Sequence, residues 1–147
     1  MWGDGLGFTP DEVPAGAQVL FVAQNPGETE EIQGRPLIGV TGQLLRRQLV
    51  PRYLGALPVG YGNVLKCRAQ DAAGRHVNAL PKARSAEWQA AVRHCWPYLE
   101  ATLARVPEAL VVPMGDHAIR AFTGLRGKVL HLRGSLIRGW EGGHAGA

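Results

Sequence analysis

The sequence predicts an α/β protein, a three-layer α/β/α sandwich with a small, mainly parallel central sheet. Short apolar runs alternate with segments whose apolar residues follow helical spacing, a pattern typical of a parallel sheet covered by helices on both faces. The first run, from Val19 to Val22, is short and partly β-branched, as expected of a buried strand. The chain has 147 residues, enough to bury one hydrophobic core, so we predict a single domain over 1–147.

The predicted elements follow in order along the chain. Residues 1–16 are rich in glycine and proline and predict an irregular arm, while 140–147 predict a flexible tail. Short apolar runs predict four strands, over 19–22, 61–65, 109–113 and 129–132. Helical spacing predicts three helices, over 42–53 with Thr41 as N-cap, from Ser85 as N-cap through Leu103, and over 116–122. Pro97 should kink or split the second helix, and 66–84 is a polar loop.

Charge and composition limit the cellular setting. The 16 lysine and arginine residues exceed the 12 acidic residues, and the net charge of +4 favours a polyanionic partner. No apolar run approaches the ~20 residues that a membrane span needs, and the amino terminus lacks the pattern of a secretory signal. Two cysteines cannot form a disulfide scaffold. We therefore expect a reducing cytoplasm and no membrane partner. We also expect the protein to be a monomer.

The segment 19–45 is the most informative about function. The first predicted strand ends in Ala23-Gln24-Asn25-Pro26-Gly27, and open α/β sheets bind ligands at the carboxyl ends of their strands. A loop with turn-forming and acidic residues follows. Asn25 alternatively only turns this loop before Pro26, as asparagine often does. Residues 39–42 could also form the phosphate loop of a Rossmann-like nucleotide binder, although no full Gly-x-Gly-x-x-Gly occurs there.

Many short motifs share one order with a known family. They are Asn25-Pro26-Gly27, Gln33-Gly34-Arg35-Pro36, Gly39, Gly42-Gln43-Leu44-Leu45, Asn63-Val64, Lys66-Cys67-Arg68, Cys95, Pro97-Tyr98-Leu99, Met114-Gly115, Ala118 and Arg133-Gly134. In this order the chain resembles the uracil-DNA glycosylase superfamily, nearest its iron–sulfur branch, family 4. The resemblance covers 19–134 and implies an α/β/α sandwich. It also implies a DNA glycosylase that flips out and hydrolytically excises uracil, or a related modified pyrimidine, in base excision repair.

The resemblance implies roles for the residues at the strand ends. Asn25 takes the position of a water-holding residue, and Gln24 is the second catalytic candidate. The implied base-binding residues are Asn63, Leu37, Gly27 and Pro26. The Asn63 amide offers an acceptor and donors that fit the O4 and N3–H edge of uracil, although a simple turn at Gly62-Asn63 is the alternative. Leu37 replaces the aromatic residue that stacks on the base in the family, and a core position is equally consistent with it.

Two departures from the family pattern concern metal and the carboxyl terminus. Cys67 and Cys95 match two of four cluster ligands, but the amino-terminal Cys-x-x-Cys pair is absent, so we expect no metal or cofactor. His76 and His94 could join the cysteines around zinc, although no recognised spacing supports this. The carboxyl-terminal His motif also has no clear counterpart. A non-catalytic or weakly active uracil- or DNA-binding relative is therefore the alternative function.

The remaining implied partner is DNA, which basic residues near the proposed base site would bind through its phosphates. The expected DNA-binding residues are Arg35, Lys66, Arg68 and Arg75. A solvated basic loop without a partner is the alternative interpretation.

Overall fold

The computed structural model describes residues 7–71, 73–77, 80–82, 85–125 and 129–136. In these ranges three parallel strands form one sheet, β1 (Val19–Ala23), β2 (Val59–Asn63) and β3 (Leu110–Pro113), in the order β2-β1-β3. In the register, Ala23 lies beside Asn63 and Val22 beside Pro113. All three strands therefore end at one edge of the sheet, and the predicted α/β fold is confirmed.

Six helices accompany the sheet in the described ranges, and two of them lie where no helix was predicted. The bounds are α1 (Glu28–Gln33), α2 (Val40–Leu44), α3 (Val50–Tyr53), α4 (Ala86–Arg105), α5 (Asp116–Thr123) and α6 (Val129–Leu132). The predicted fourth strand over 129–132 is wrong, because this segment forms α6. A four-residue apolar run fits a strand and a helical turn equally well. The acidic segment predicted as a loop contains α1, whose residues have no apolar periodicity.

The two faces of β1 point to separate hydrophobic clusters, because side chains alternate along a strand. Leu20 and Val22 belong to the larger cluster, with residues of α4 and α5 such as Trp88, Leu99 and Phe122. Phe21 and Ala23 lie on the opposite face against the smaller cluster, which consists of Leu37, Leu45, Val50 and Tyr61. Helices thus cover both faces of the sheet.

Helix α4 begins as predicted. Ser85 is its N-cap, and the Ser85 hydroxyl accepts a hydrogen bond of 3.1 Å from the backbone nitrogen of Trp88. The helix continues through Pro97 without a break, so the expected split is wrong. Pro97 is exposed, and so is Arg93, whose carbonyl would have received the missing N–H bond. Water can satisfy that carbonyl, while the buried face of α4 stays packed against the sheet.

The helical segment from α2 to α3 adapts to a proline. Gly39, rather than the expected Thr41, is the N-cap, with an extended backbone at ψ −165°. A π-helical turn, Leu45–Leu49, joins the two helices and includes a bond from the backbone nitrogen of Val50 to the carbonyl of Leu45. Pro51 follows directly and has no N–H to donate, so the wider turn falls where regular α-helical bonding would be interrupted.

The described part of the amino-terminal arm lies along the outer edge of β2. Glu12 and Tyr61 exchange two backbone hydrogen bonds of 2.8 Å, and the backbone nitrogen of Thr9 donates to the carbonyl of Lys66 at 2.7 Å. The arm is irregular, as expected, but it pairs with the strand edge and covers it. Residues 1–6 and the tail predicted over 140–147 lie outside the described residues. Within the described ranges, no helix is long and apolar enough to cross a membrane.

Candidate active site

The expected site residues lie at the carboxyl edge of the sheet. Gln24 and Asn25 follow β1 directly, and Asn63 is the last residue of β2. Backbone bonds continue the pairing past the strands, from Val64 to the carbonyl of Ala23 and from Leu65 to that of Gln24, both at 2.9 Å. The pairing fixes the position of the segment that carries Asn25 relative to the segment that follows Asn63.

Asn63 is only 1% exposed, and its side chain is unusual for a buried residue. Among the described residues, its Nδ2 has no hydrogen-bond partner. Leaving a buried donor unpaired costs roughly 1–3 kcal/mol, so native proteins rarely do so without a reason. The unpaired Nδ2 makes the Asn63 side chain a candidate for binding a ligand at the sheet edge.

Asn25 is half-buried beside this position. Its Nδ2 donates to the carbonyl of Pro26 at 2.9 Å, a local bond that also fits the turn interpretation. Gln24 is half-buried too, and its Oε1 lies 3.9 Å from where a Cβ on Gly115 would be. Gln24 thus spans from the end of β1 toward the end of β3. Pro26 is fully buried, whereas Gly27 is exposed and is the N-cap of α1.

The buried carboxylate of Glu30 organises the loop that carries Asn25. Its Oε2 accepts from the Gly27 nitrogen at 3.2 Å, and its Oε1 accepts from the nitrogens of Ile38 and Gly39 at 3.0 and 2.7 Å. A Cβ on Gly27 would lie 2.7 Å from Oε2, so this close approach favours glycine there. Glu30 was not predicted as a site residue. The signal that could have found it is its position three residues after Gly27, where the glutamate of a capping box accepts a hydrogen bond from the N-cap nitrogen.

Leu37 is part of this loop and has a backbone conformation that is rare for leucine. Its φ is +52°, and its side chain is buried in the smaller cluster. Arg46 holds the loop, because its Nε donates to the Leu37 carbonyl at 2.8 Å and its Nη2 donates to the Pro36 carbonyl at 2.7 Å. The burial of Leu37 fits the core alternative for this residue.

Glu12, on the arm, connects two arginines. Its Oε2 lies 2.9 Å from Arg35 Nε, and its Oε1 lies 2.9 Å from Arg46 Nη1. The Arg46 guanidinium also stacks 3.8 Å from the centre of the Tyr61 ring. The hydrogen bond from Arg35, together with the nearby Arg46 charge, lowers the pKa of Glu12 from 4.5 to about 2.

This shift predicts a specific acid sensitivity. A carboxylate whose pKa is lower in the folded state stabilises the fold above its unfolded pKa and loses that contribution as it becomes protonated. We expect the Glu12 contribution to be complete above pH 4.5 and to disappear as the pH falls towards 2. Glu12 is 37% exposed, so solvent screening limits this contribution to about 1 kcal/mol. Urea unfolding across this range should show a flatter pH profile for Glu12→Gln than for the parent, and identical profiles would contradict the assignment.

The four expected DNA-binding residues lie in different environments. Arg35 is 55% exposed and Arg75 is 80% exposed, the latter in an ion pair with Asp71. Arg68 is mostly buried, with its Nη1 3.1 Å from Glu31 Oε2. Lys66 is 1% exposed, and its Nζ lies 2.5 Å from Asp11 Oδ1. Because its ammonium group faces the interior, Lys66 cannot reach a phosphate in this conformation.

The two cysteines lie in the interior. Burial raises the pKa of both the Cys67 and the Cys95 thiols, and the backbone nitrogen of Lys66 approaches Cys95 Sγ at 3.5 Å. In the described part of the chain, no three His, Cys, Asp or Glu residues are arranged to hold a metal ion. An iron–sulfur cluster takes about four thiolate ligands. The described residues do not fit such a cluster.

Comparisons with known proteins support the family resemblance. The model of the Uracil DNA glycosylase superfamily matches residues 10–144. A type-4 uracil-DNA glycosylase of Thermotoga maritima is 32% identical over 127 residues, which are 86% of this chain and 59% of the relative. Another, from Saccharolobus solfataricus, is 29% identical over 120 residues, which are 80% of this chain and 50% of the relative.

A third relative, the type-4 uracil-DNA glycosylase of Sulfurisphaera tokodaii, is 30% identical over 122 residues, or 82% of this chain. The matches span about half the length of these relatives. The family match extends over nearly the whole chain, and it confirms the resemblance based on the motifs. This chain belongs to the uracil DNA glycosylase superfamily and is similar to its type-4 members.

Proposed function

We propose that the protein is a DNA glycosylase that flips uracil, or a related modified pyrimidine, out of DNA and removes it by hydrolysis. The main support is the buried Asn63 side chain with an unpartnered Nδ2, next to the Asn25 loop at the carboxyl edge of the sheet. The type-4 relatives support the same reaction class. Excision would be a step of base excision repair, performed by a monomer in the cytoplasm.

Asn63 would read the edge of the flipped base. Its free Nδ2 would donate to O4 of uracil, and its Oδ1 would accept from N3–H. Cytosine presents an amine in place of O4 and has no proton on N3, so the same amide orientation would place a donor against a donor and an acceptor against an acceptor. This mismatch would exclude cytosine.

Asn25 would orient the attacking water. Its Nδ2 is bonded to the Pro26 carbonyl, which leaves Oδ1 to accept a hydrogen bond from water. The water oxygen forms a bond to C1′ of the sugar, while the C1′–N1 bond breaks and its electrons go to the base. The water proton passes to solvent or to the departing uracil anion. Neutral asparagine is a weak base, so its contribution would be orientation.

The DNA backbone would approach exposed arginines. Arg75 and Arg35 carry exposed guanidinium groups whose present partners are surface carboxylates. Exposed ion pairs contribute only about 0–1 kcal/mol, so phosphates can replace the carboxylates at little cost. A non-catalytic DNA-binding relative is the second candidate, because the local Asn25–Pro26 bond is equally consistent with a turn.

Single-turnover excision from a uracil-containing oligonucleotide separates the two candidates. We expect the parent to release uracil, and Asn25→Ala to slow release by about 10- to 100-fold with DNA affinity nearly unchanged. Asn63→Asp keeps acceptors but loses both amide donors, so it should disfavour uracil and partly admit cytosine. Thr29→Ala, an exposed change in α1, is the control and should match the parent.

Each outcome decides a separate point. Binding without release by the parent would favour the non-catalytic relative. Release by Asn25→Ala at the parental rate would make Gln24 or a backbone group the water-holding candidate. If Asn63→Asp left base preference unchanged, Asn63 would have only a turn role.

We further propose that this chain acts without an iron–sulfur cluster. The support is that the described residues bring no third ligand to the two buried cysteines. Purified protein of this sequence should lack the brown absorbance of such a cluster. Stoichiometric iron and sulfide after anaerobic preparation would contradict this proposal.

A further inference from the structure

A buried ion pair holds the main chain of Asn63. Lys66 and Asp11 are 1% and 3% exposed, and Lys66 Nζ lies 2.5 Å from Asp11 Oδ1. Removing two charges from water costs several kcal/mol per ion, and a hydrophobic pair of similar volume often stabilises a fold as well. The position of this pair therefore calls for an explanation beyond stability.

Both members of the pair contact the same residue. The backbone nitrogen of Asn63 donates to Asp11 Oδ1 at 3.2 Å, and the Asn63 carbonyl accepts from Lys66 Nζ at 2.7 Å. The hydroxyl of Thr102 donates to Asp11 Oδ2 at 2.8 Å and ties the carboxylate to α4. Asn63 is thus held at both of its main-chain polar groups by charges that are anchored in the core.

The side chain of Asn63 needs such support. Its Nδ2 has no partner among the described residues, so no hydrogen bond from that donor fixes the amide before a ligand arrives. The position of the Asn63 main chain therefore helps to set where the amide points. Gly62 leaves space for the Asp11 carboxylate beside β2, because a Cβ at this position would lie 2.6 Å from Asp11 Oδ1.

We propose that Asp11 and Lys66 are positioning residues that hold Asn63 in the orientation required to recognise the flipped base. The inference rests on the proposed function, because it assigns the pair a role in base recognition by Asn63. It also explains why Lys66, although basic and next to the site, faces the interior. The pair acts through Asn63 and touches neither the base nor the DNA.

The test measures base recognition apart from catalysis and from general DNA binding. On the slow Asn25→Ala background, dissociation constants are compared for one oligonucleotide with uracil and for the same oligonucleotide with thymine at that position. Lys66→Met removes the ammonium and keeps the chain length. Lys82→Met makes the same change at an exposed lysine and is the matched control.

We expect Lys66→Met to reduce the preference for uracil by about tenfold, because one charged hydrogen bond to the Asn63 carbonyl is lost. Affinity for the thymine oligonucleotide should stay the same, and Lys82→Met should keep the full preference. A purely structural role would lower thermal stability and leave the preference of the folded protein intact, and this result would overturn the proposal.

A second variant decides the question if Lys66→Met does not fold. Gly62→Ala keeps both charges and pushes the Asp11 carboxylate away from Asn63, so it should also lower the preference for uracil. Gly60→Ala is its control on the same strand, because the nearest atoms to a Cβ there belong to the side chains of Leu20 and Val13, at 3.0–3.2 Å, and not to Asp11. If the Asn25→Ala protein itself shows no preference for uracil, the proposed base reading fails. If the preference exists but survives both Lys66→Met and Gly62→Ala, only the positioning role fails.

Discussion

Replacing Glu30 with alanine should destabilise the protein by about 3–5 kcal/mol, because three backbone N–H groups lose one shared charged acceptor. The groups belong to Gly27, Ile38 and Gly39 and lie at both ends of the loop after β1. Without the carboxylate, this loop loses the contact that joins its two ends. We expect uracil release to fall by more than about 100-fold, because the Asn25 side chain would no longer have a fixed position.

Urea unfolding and single-turnover excision of the same preparations measure the two effects. Glu28→Ala is the matched control, since Glu28 lies in the same helix and is exposed. It should change stability by no more than about 0.5 kcal/mol. The stability of Glu30→Gln should lie between the stabilities of Glu30→Ala and Glu28→Ala, because the glutamine amide nitrogen would face a backbone N–H. If Glu30→Ala unfolded at the parental urea concentration, the carboxylate would not be the contact that organises the loop.

The fold was predictable where a local sequence signal matches the structure of the same segment. The apolar run at β1 and the N-cap at Ser85 are local signals, and both correspond to observed elements. The segment 129–132 is too short for its apolar pattern to distinguish a strand from a helix. The helix α1 has no apolar face, and the buried carboxylate of Glu30 holds it in place instead. The contact of Glu30 with Gly27 has a local signal in the spacing of the two residues, but its contacts with Ile38 and Gly39 follow from no local pattern.

The location of the candidate site was predictable from the sequence. Residues at the ends of parallel strands meet at one edge, so the proximity of the Asn25 and Asn63 segments follows from strand order. The environment of Lys66 was not predictable, because its partner Asp11 is 55 residues away and the sequence does not reveal burial. Lys66 was predicted to bind DNA because it is basic and lies near the proposed base site. In the structure it is buried and forms an ion pair with Asp11.

The other large effect on stability is expected from Gly42→Ala, because α2 packs closely against the loop that precedes it. A Cβ on Gly42 would overlap the carbonyl carbon and oxygen of Leu37 and would lie 2.8 Å from the Leu37 Cα. Rotating a side chain cannot relieve a contact with backbone, so Gly42→Ala must separate α2 from the loop. We expect a loss of about 3 kcal/mol or more in the free energy of unfolding.

The loss should extend to the site, because Leu37 already has a φ of +52° and Arg46 fixes its carbonyl. A backbone conformation of this kind persists only while its surroundings hold it, so displacing Leu37 should release the strain and let the loop relax. Thermal unfolding of Gly42→Ala should show a lower midpoint, and uracil release should fall with it at temperatures where the variant is folded. Thr41→Ala, an exposed change in the same helix, should change the free energy of unfolding by no more than about 0.5 kcal/mol and leave uracil release at the parental rate. An unchanged midpoint for Gly42→Ala would mean that the loop and α2 are not in direct backbone contact in solution.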